Sequence, residues 1–509
     1  MKYDVIVIGA GSAGSVVAAR LAEDINTNVL LLEAGQDYPD LENLPFDIQF
    51  GHTRAAEAED SKHNWALRGT ITEEQGEIHV AQGKVVGGGG SINGQIYLRG
   101  IPEDFDDWAS WGNDEWSYTK VLPYFRKAER DLDIRDDFHG TDGPIPVSRK
   151  PRETWPVIQM AFHTACLQRG YDTTEDMNGT NPSGVGLIPM NNQNGVRMST
   201  AITHLGPMRH RLNLTVRGDV FVRKILIHNG EVTGVEAESG GAIFTVETDR
   251  VVLSAGALKT PHILMLSGIG PKEQLEEYGI PVLQDTPGVG ANLRNHPIAP
   301  ISYRVKEGIN LAPDAAGVRI ALRFTSKGTK EPNDMLMSTS SVFNPLTGEE
   351  LPDRVGRISC VLELPAGAGF VRLASADPVV QPKFDYRYFS HPDDMRRMRE
   401  GIRIAVNLLD SDAYKEVSEF RITPTEEVLA TDEALDLWIR QTVGTARHVS
   451  GTCKIGPDSD PMAVVDQQCR VKGFKGLWLA DSSVMPQVPR ANANATAIMI
   501  GERVADWVS

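Results

Sequence analysis

The chain has 509 residues, 41% of them hydrophobic and 23% charged, and a formal net charge of −17 at neutral pH. That length exceeds what one hydrophobic core usually supports, so two domains are expected. The acidic balance argues against a nucleic-acid partner and against docking on anionic lipid, both of which want a basic face. No window approaches the ~18 consecutive apolar residues of a membrane span. Cys166, Cys360, Cys453 and Cys469 lack metal-ligand spacing, and no metal is expected. With a first strand that begins by Tyr3, leaving no room for a signal peptide, they point to a reducing cytoplasm.

The first element is the apolar run Val5 to Ile8, a strand buried on both faces. It ends in Gly9, Gly11 and Gly14, with Ser12 and Ala13 in the turn, and a helix follows with Ala13, Val17, Ala18 and Leu21 on one side. A second apolar run, Val29 to Leu32, ends in Glu33, 19 positions beyond Gly14. Gly9 suits the tight turn, Gly11 lets the backbone approach a pyrophosphate, and Gly14 lets helix and strand pack closely. The helix N-terminus offers unpaired N–H groups to phosphates, and Glu33 can accept hydrogen bonds from ribose hydroxyls. The unit reads as a dinucleotide site.

Next comes GKVVGGGGSINGQIYLR, Gly83 to Arg99. The run Gly87 to Gly90 frees the backbone to pass a flat or anionic ligand, to which Ser91 and Asn93 offer polar groups. The flanks Val85, Val86, Ile96 and Tyr97 are apolar, unlike a linker. Further on, Leu214 to Val216, Val220 to Ile227 and Val232 to Glu236 read as a β-meander with a turn at His228-Asn229-Gly230. Arg250 to Ser254 is another strand, running into Gly256 and a helical stretch from Thr260 to Leu266. Asp393 to Leu409 is an amphipathic helix. Leu477 to Ala480 is a strand ending in Asp481. Ala495 to Trp507 is a helix with Ile498, Val504 and Trp507 toward the core and Asn494 at its N-cap. The expected architecture is α/β. A discontinuous Rossmann-like cofactor domain (1–150, 191–299 and 440–509) carries an inserted α+β substrate domain (151–190 and 300–439), with the cavity between them.

These motifs resemble the glucose–methanol–choline (GMC) oxidoreductases, flavoenzymes that bind FAD and oxidise alcohols. GKVVGGGGSINGQIYLRG matches the first signature of that family and GALKTPHILMLSGIG, Gly256 to Gly270, the second. PGVGANLRNHP, HVSGTCKIG and LWLADSSVMP follow in family order. The match is much weaker over 300 to 440. The resemblance implies FAD held by Gly9, Gly11, Ser12, Ala13, Gly14, Glu33, Val86, Gly88, Ser91, Asn93, Gly94, Val222 and Asp481. Val222 would meet the adenine through its backbone, and Asp481 the ribityl or diphosphate region; the other explanation of Asp481 is a helix cap. Ile92 stands where some members tether the flavin through histidine, so non-covalent FAD is expected.

The resemblance also places the catalytic histidine at His448. Alcohol oxidation needs a base for the hydroxyl proton and a hydrogen bond to its oxygen, and imidazole suits the first task. The family's second position, histidine or asparagine, is read here as Asn494, which can donate but cannot act as a base. Ala446 and Arg447 precede His448. Alternation along an extended segment turns Arg447 outward; turned inward, it would favour a substrate bearing a carboxylate or phosphate. The expected activity is oxidation of a small-molecule alcohol to an aldehyde or ketone, with O2 as acceptor. The alternatives are a dehydrogenase with another acceptor, a hydroxynitrile lyase and a non-catalytic flavoprotein sensor. Residues 300 to 440 and loops near Trp65 and Tyr97 would set the substrate.

Overall fold

The computed structural model describes residues 3–51, 53–311, 319–342 and 352–509. Five parallel strands form the cofactor-side sheet, in the order Leu214–Arg217, Val29–Leu32, Val5–Ile8, Val251–Leu253, Leu477–Leu479. The three central ones are buried throughout, as parallel strands covered by helices on both faces must be. Helix Ser12–Leu21 connects the first two strands.

Leu214–Arg217 is therefore an edge strand of this sheet, in register with Val29 to Leu32, and not the opening of a meander. Asn213 decides this: its side-chain amide donates to the carbonyls of Ala22, Asp24 and Thr27 at 3.1, 2.9 and 2.9 Å. The segment is thereby pinned beside the turn that feeds the second strand. The meander comprises Phe221–His228, Glu231–Ser239 and Ala242–Glu247. Its first turn has Asn229 and Gly230 at φ +50° and +79°, the pairing a two-residue hairpin favours.

Two helices begin earlier than the sequence pattern suggests. Gly256–Leu266 runs through Pro261. A proline leaves the carbonyl four residues back without its helical donor, and Thr452 Oγ1 donates to that Ala257 carbonyl at 2.6 Å. The C-terminal helix is Ala493–Val508 with Asn492 as N-cap residue, so Asn494 lies inside its first turn and is not the cap. Trp507 packs against the cofactor-side core although partly exposed.

The other large element is a seven-stranded antiparallel sheet, whose strands include Gly184–Leu187, Pro297–Val305, Ile320–Phe324, Met335–Ser341, Val355–Leu362 and Ser418–Thr423. Pro297–Val305 alternates strictly: Ala299, Ile301, Tyr303 and Val305 are buried and join a core that includes helices Val157–Gln168 and Pro392–Leu409. Ile298 and Pro300, on the opposite face, look into a cavity. This strand runs continuously across the 299/300 boundary, so one sheet carries the site from one region to the other. Among the described residues no helix is long and apolar enough to cross a membrane. The four cysteines are buried and unpaired.

One buried ion cluster locks residues 99–176. His139 Nδ1 lies 3.0 Å from Glu129 and 3.1 Å from Asp131, and its Nε2 lies 2.9 Å from Asp176. Arg149 pairs with Asp131 and Asp176, each at 2.9 Å, and Arg99 pairs with Glu129. Glu129, Asp131 and His139 are grouped closely enough to suit a metal, but three carboxylates here already face three cations. Burial opposes charge on His139, yet its bonds to Asp131, Asp176 and Glu129 outweigh that and push its pKa up to about 11. A raised folded pKa contributes stability that is complete below the unfolded value of ~6.5 and is lost as pH rises through the folded value. His139→Ala should therefore destabilise the protein at pH 6 by ~3–5 kcal/mol, as breaking a buried charge cluster does. In thermal unfolding, the gap between wild type and variant should narrow as pH is raised from about 6 to about 10.

Candidate active site

A cavity of about 790 Å³ runs from Glu33 and Val222, past the glycine turns, to His448 and the antiparallel sheet. At its cofactor end two glycine segments touch. Gly9 sits at φ +91°, and a Cβ on Gly88 would come within 2.7 Å of Gly11 Cα. A Cβ on Gly14 would lie 2.0 Å from the Gly9 carbonyl oxygen, so Gly14 serves helix–strand contact. Gly9, Gly11, Ser12, Ala13, Gly88, Asn93, Gly94 and Val222 line the cavity. Val86 and Ser91 do not: the Ser91 hydroxyl donates to the Val86 carbonyl at 3.0 Å, shaping the loop from behind. Ile92 lines the cavity.

Glu33 accepts from the Ala10 and Gly35 N–H groups, both at 2.9 Å. Burial pushes its carboxyl up, those bonds counteract, and the balance lies at about 7. Each oxygen retains a lone pair for a ribose hydroxyl. Asp481 accepts from Ser483 N–H at 2.7 Å, Gly256 N–H at 2.9 Å and Thr260 Oγ1 at 2.6 Å. It caps two helical starts and lines the cavity as well. A backbone cradle without side chains, a helix N-terminus and a ribose-reading acid together fit a flavin dinucleotide, which Gly9 to Ala13, Glu33, Gly88, Asn93 and Val222 would hold.

At the other end, His448 Nε2 lies 2.9 Å from Asn492 Nδ2, and His448 Nδ1 lies 2.8 Å from His296 Nδ1. With the amide so oriented, Nε2 accepts, and the His448 proton resides on Nδ1, donated to His296. Burial, then the Arg447 charge, pushes the His448 pKa down to about 3. Burial and the neighbouring His448 hold His296 well below its usual range. Both imidazoles are neutral. Asn295 Oδ1 accepts from the backbone N–H of both His448 and His296, at 2.8 and 2.9 Å, which fixes the pair. Glu363 lies 3.6 Å behind His296, and burial, partly offset by Arg323, pushes its pKa to about 8.

Asn494 lines the cavity elsewhere, accepting from Ser12 Oγ at 2.6 Å. The side chain beside His448 is Asn492, two residues earlier, because the helix starts two residues earlier. Sequence reasoning missed Asn492, Asn295, His296 and Glu363. The end of the Pro489-Arg490-Ala491 turn would have marked Asn492 as the cap. Ala446 and Arg447 both line the cavity beside His448. Alternation fails for Arg447 because its φ is +64°, which is not extended backbone. Its guanidinium is not free, however: Nη1 donates to Glu57 at 2.6 Å.

Comparison with known proteins agrees with this geometry. The GMC oxidoreductase family profile matches residues 3–298, and its C-terminal counterpart residues 365–501. An oxygen-dependent choline dehydrogenase of Sinorhizobium fredii is 36% identical, covering 100% of this chain and 96% of that protein. The crystal structure of pyridoxine 4-oxidase from Mesorbium loti superposes with a TM-score of 0.91 at 27% identity, covering 99% of each chain. Formate oxidase superposes with a TM-score of 0.91 at 26% identity, covering 100% of this chain and 98% of that one. With the fold, the glycine cradle and both family segments in agreement, the chain belongs to the GMC oxidoreductase family and is an FAD-dependent enzyme acting on CH–OH donors.

Proposed function

We propose that the enzyme oxidises an alcohol to an aldehyde or ketone, with His448 as base, Asn492 holding the substrate oxygen and O2 as final acceptor. The observation that carries this is a neutral imidazole whose Nε2 meets a side-chain amide donor at 2.9 Å, in a cavity continuous with the dinucleotide cradle. A hydroxyl entering between them donates its proton to His448 Nε2 and accepts from Asn492 Nδ2. The depressed pKa keeps that lone pair available across the neutral range, and the His296 and Asn295 contacts fix the ring orientation. Charge developing on oxygen is met by a preorganised N–H, which costs no reorganisation in the reaction. FAD, when bound, supplies the two-electron acceptor. O2 as final acceptor is supported by the oxidase or oxygen-dependent names of the three relatives above.

Anaerobic addition of a panel of alcohols should bleach the flavin, and readmitted air should restore it. A flavin that stays yellow with every alcohol would point to a lyase or a sensor; one that bleaches but ignores air would point to a dehydrogenase.

His448→Ala should slow flavin reduction by ~10²–10⁴-fold, the usual contribution of a positioned base, with FAD still bound. Asn492→Ala should cost ~10²–10³-fold, as loss of an oxyanion donor does. Asn494→Ala should slow the limiting reduction rate less than Asn492→Ala, since its contact is with Ser12.

The limiting reduction rate should stay level from about pH 8 to about pH 5, because the neutral form of His448 persists down to about pH 3. A fall centred on the ordinary imidazole pKa of ~6.5 would contradict the assignment of His448 as an already neutral base.

Acid precipitation should release yellow FAD into the supernatant, because Ile92 offers no atom for a covalent link. Colour retained in the pellet would overturn non-covalent binding.

A further inference from the structure

The antiparallel sheet presents three successive cross-strand rows to the cavity, and they differ in kind. Nearest the His296 end are Ile298, Val361 and Leu336; next come Pro300, Ser359 and Ser338; then Arg357 and Ser340, level with Ser302. Except for Ser302, all of these line the cavity. Polarity therefore rises along the strands away from His448, and Arg357 stands four residues, ~13 Å, beyond Val361.

Arg54, on the loop that also carries Glu57, lines the cavity too and lies close enough to Arg357 for the two charges to act on each other. Among the described residues neither Arg54 nor Arg357 has an ion-pair or side-chain hydrogen-bond partner, and Arg357 Nε is buried without one. Arg447 is matched by Glu57 at 2.6 Å. Glu363 lies at the opposite end of the sheet face and, with its pKa near 8, is mostly protonated at neutral pH. Burial, then the nearby Arg54, lowers the pKa of Arg357, the mark of a cation lacking its anion. In a protein of net charge −17, the described residues make this end of the cavity positive. Choline, named for the Sinorhizobium relative, is itself a cation and would meet two unmatched guanidinium groups.

We infer that Arg357 and Arg54 form a carboxylate subsite, so that the substrate is an alcohol with an apolar middle and a carboxylate on its far end. This rests on the alcohol reading for the hydroxyl end alone. The hydroxyl lies between His448 and Asn492, the spacer against Ile298, Val361 and Leu336, and the carboxylate on Arg357. A guanidinium holds a carboxylate through parallel N–H bonds, and Ser338 and Ser340 offer further donors.

The test uses the FAD-loaded enzyme. Octanoate and octanamide, which carry no hydroxyl, are titrated while flavin absorbance reports binding. Octanoate should bind at least ~10-fold tighter, and Arg357→Gln should remove most of that difference, with Arg357→Lys retaining part of it. Next, ω-hydroxyoctanoate and its methyl ester are compared in anaerobic flavin reduction. Arg357→Gln should raise the apparent Kd of the acid by ~10- to 100-fold while the limiting rate and the ester change little. Equal binding of octanoate and octanamide, or equal weakening of acid and ester by Arg357→Gln, overturns the subsite. Tight, Arg357-dependent octanoate binding without flavin reduction by any alcohol upholds the subsite and overturns the alcohol reading.

Discussion

The site depends on how closely the last helix crosses the first. A Cβ on Gly501 would come within 2.7 Å of the Ala13 carbonyl oxygen, so glycine there sets the separation. Two turns earlier on the last helix, Ser12 Oγ donates to Asn494 at 2.6 Å, joining residues 482 positions apart. Glu502, fully buried, accepts from Arg20 through Nε and Nη2, both at 2.8 Å, and lies 3.2 Å from His204. Burial works against its charge, but the His204 and Arg20 bonds bring its pKa to about 2. Removing Arg20 would leave this buried carboxylate only His204 and Lys127, the latter 3.3 Å away, which moves towards the costly unmatched case. The dinucleotide turn and the start of the C-terminal helix are therefore tied together, with Asn492 set beside His448.

The two halves of the cavity are held by different means. At the cofactor end recognition is made of backbone: glycines in contact, helix starts capped by Asp481, and one acid steadied by two N–H groups. At the other end the cavity wall is made of side chains on a sheet, whose alternation assigns every second residue to the cavity. Pro297–Val305 belongs to that sheet and begins one residue after His296, and Gly444–Thr445, which leads into His448, pairs with its first two residues, so both histidines stand at one end of this cavity wall. A shift of one residue in its register would turn Ile298 and Pro300 away from the cavity and Ala299 and Ile301 into it.

Electrostatically the interior is sorted by burial and pairing. His139, with three carboxylates around it, is held protonated; His448 and His296, beside a Glu363 whose burial raises its pKa, are held neutral. The same residue type is thus a structural cation in one place and a neutral imidazole in another, and the difference lies in neighbours.

The sequence by itself determined the dinucleotide unit. Val5 to Glu33 declare strand, turn, helix, strand and acid through local rules of period and backbone freedom, and the structure repeats them position for position. The Asn229-Gly230 hairpin and the long amphipathic helix near 393–409 were legible for the same reason, since each is decided within its own segment. Only the tertiary structure could decide the rest. Leu214–Arg217 joined the parallel sheet because Asn213 bonds a turn nearly 190 residues earlier. Asn492, the cap of the last helix, was set beside His448, 44 positions earlier, only by packing. Arg447 turned inward because a single positive φ broke the alternation, and its charge was matched by Glu57, 390 positions away. Pairings of that range leave no periodicity in a chain; they exist only once helices and sheets have brought distant residues within reach.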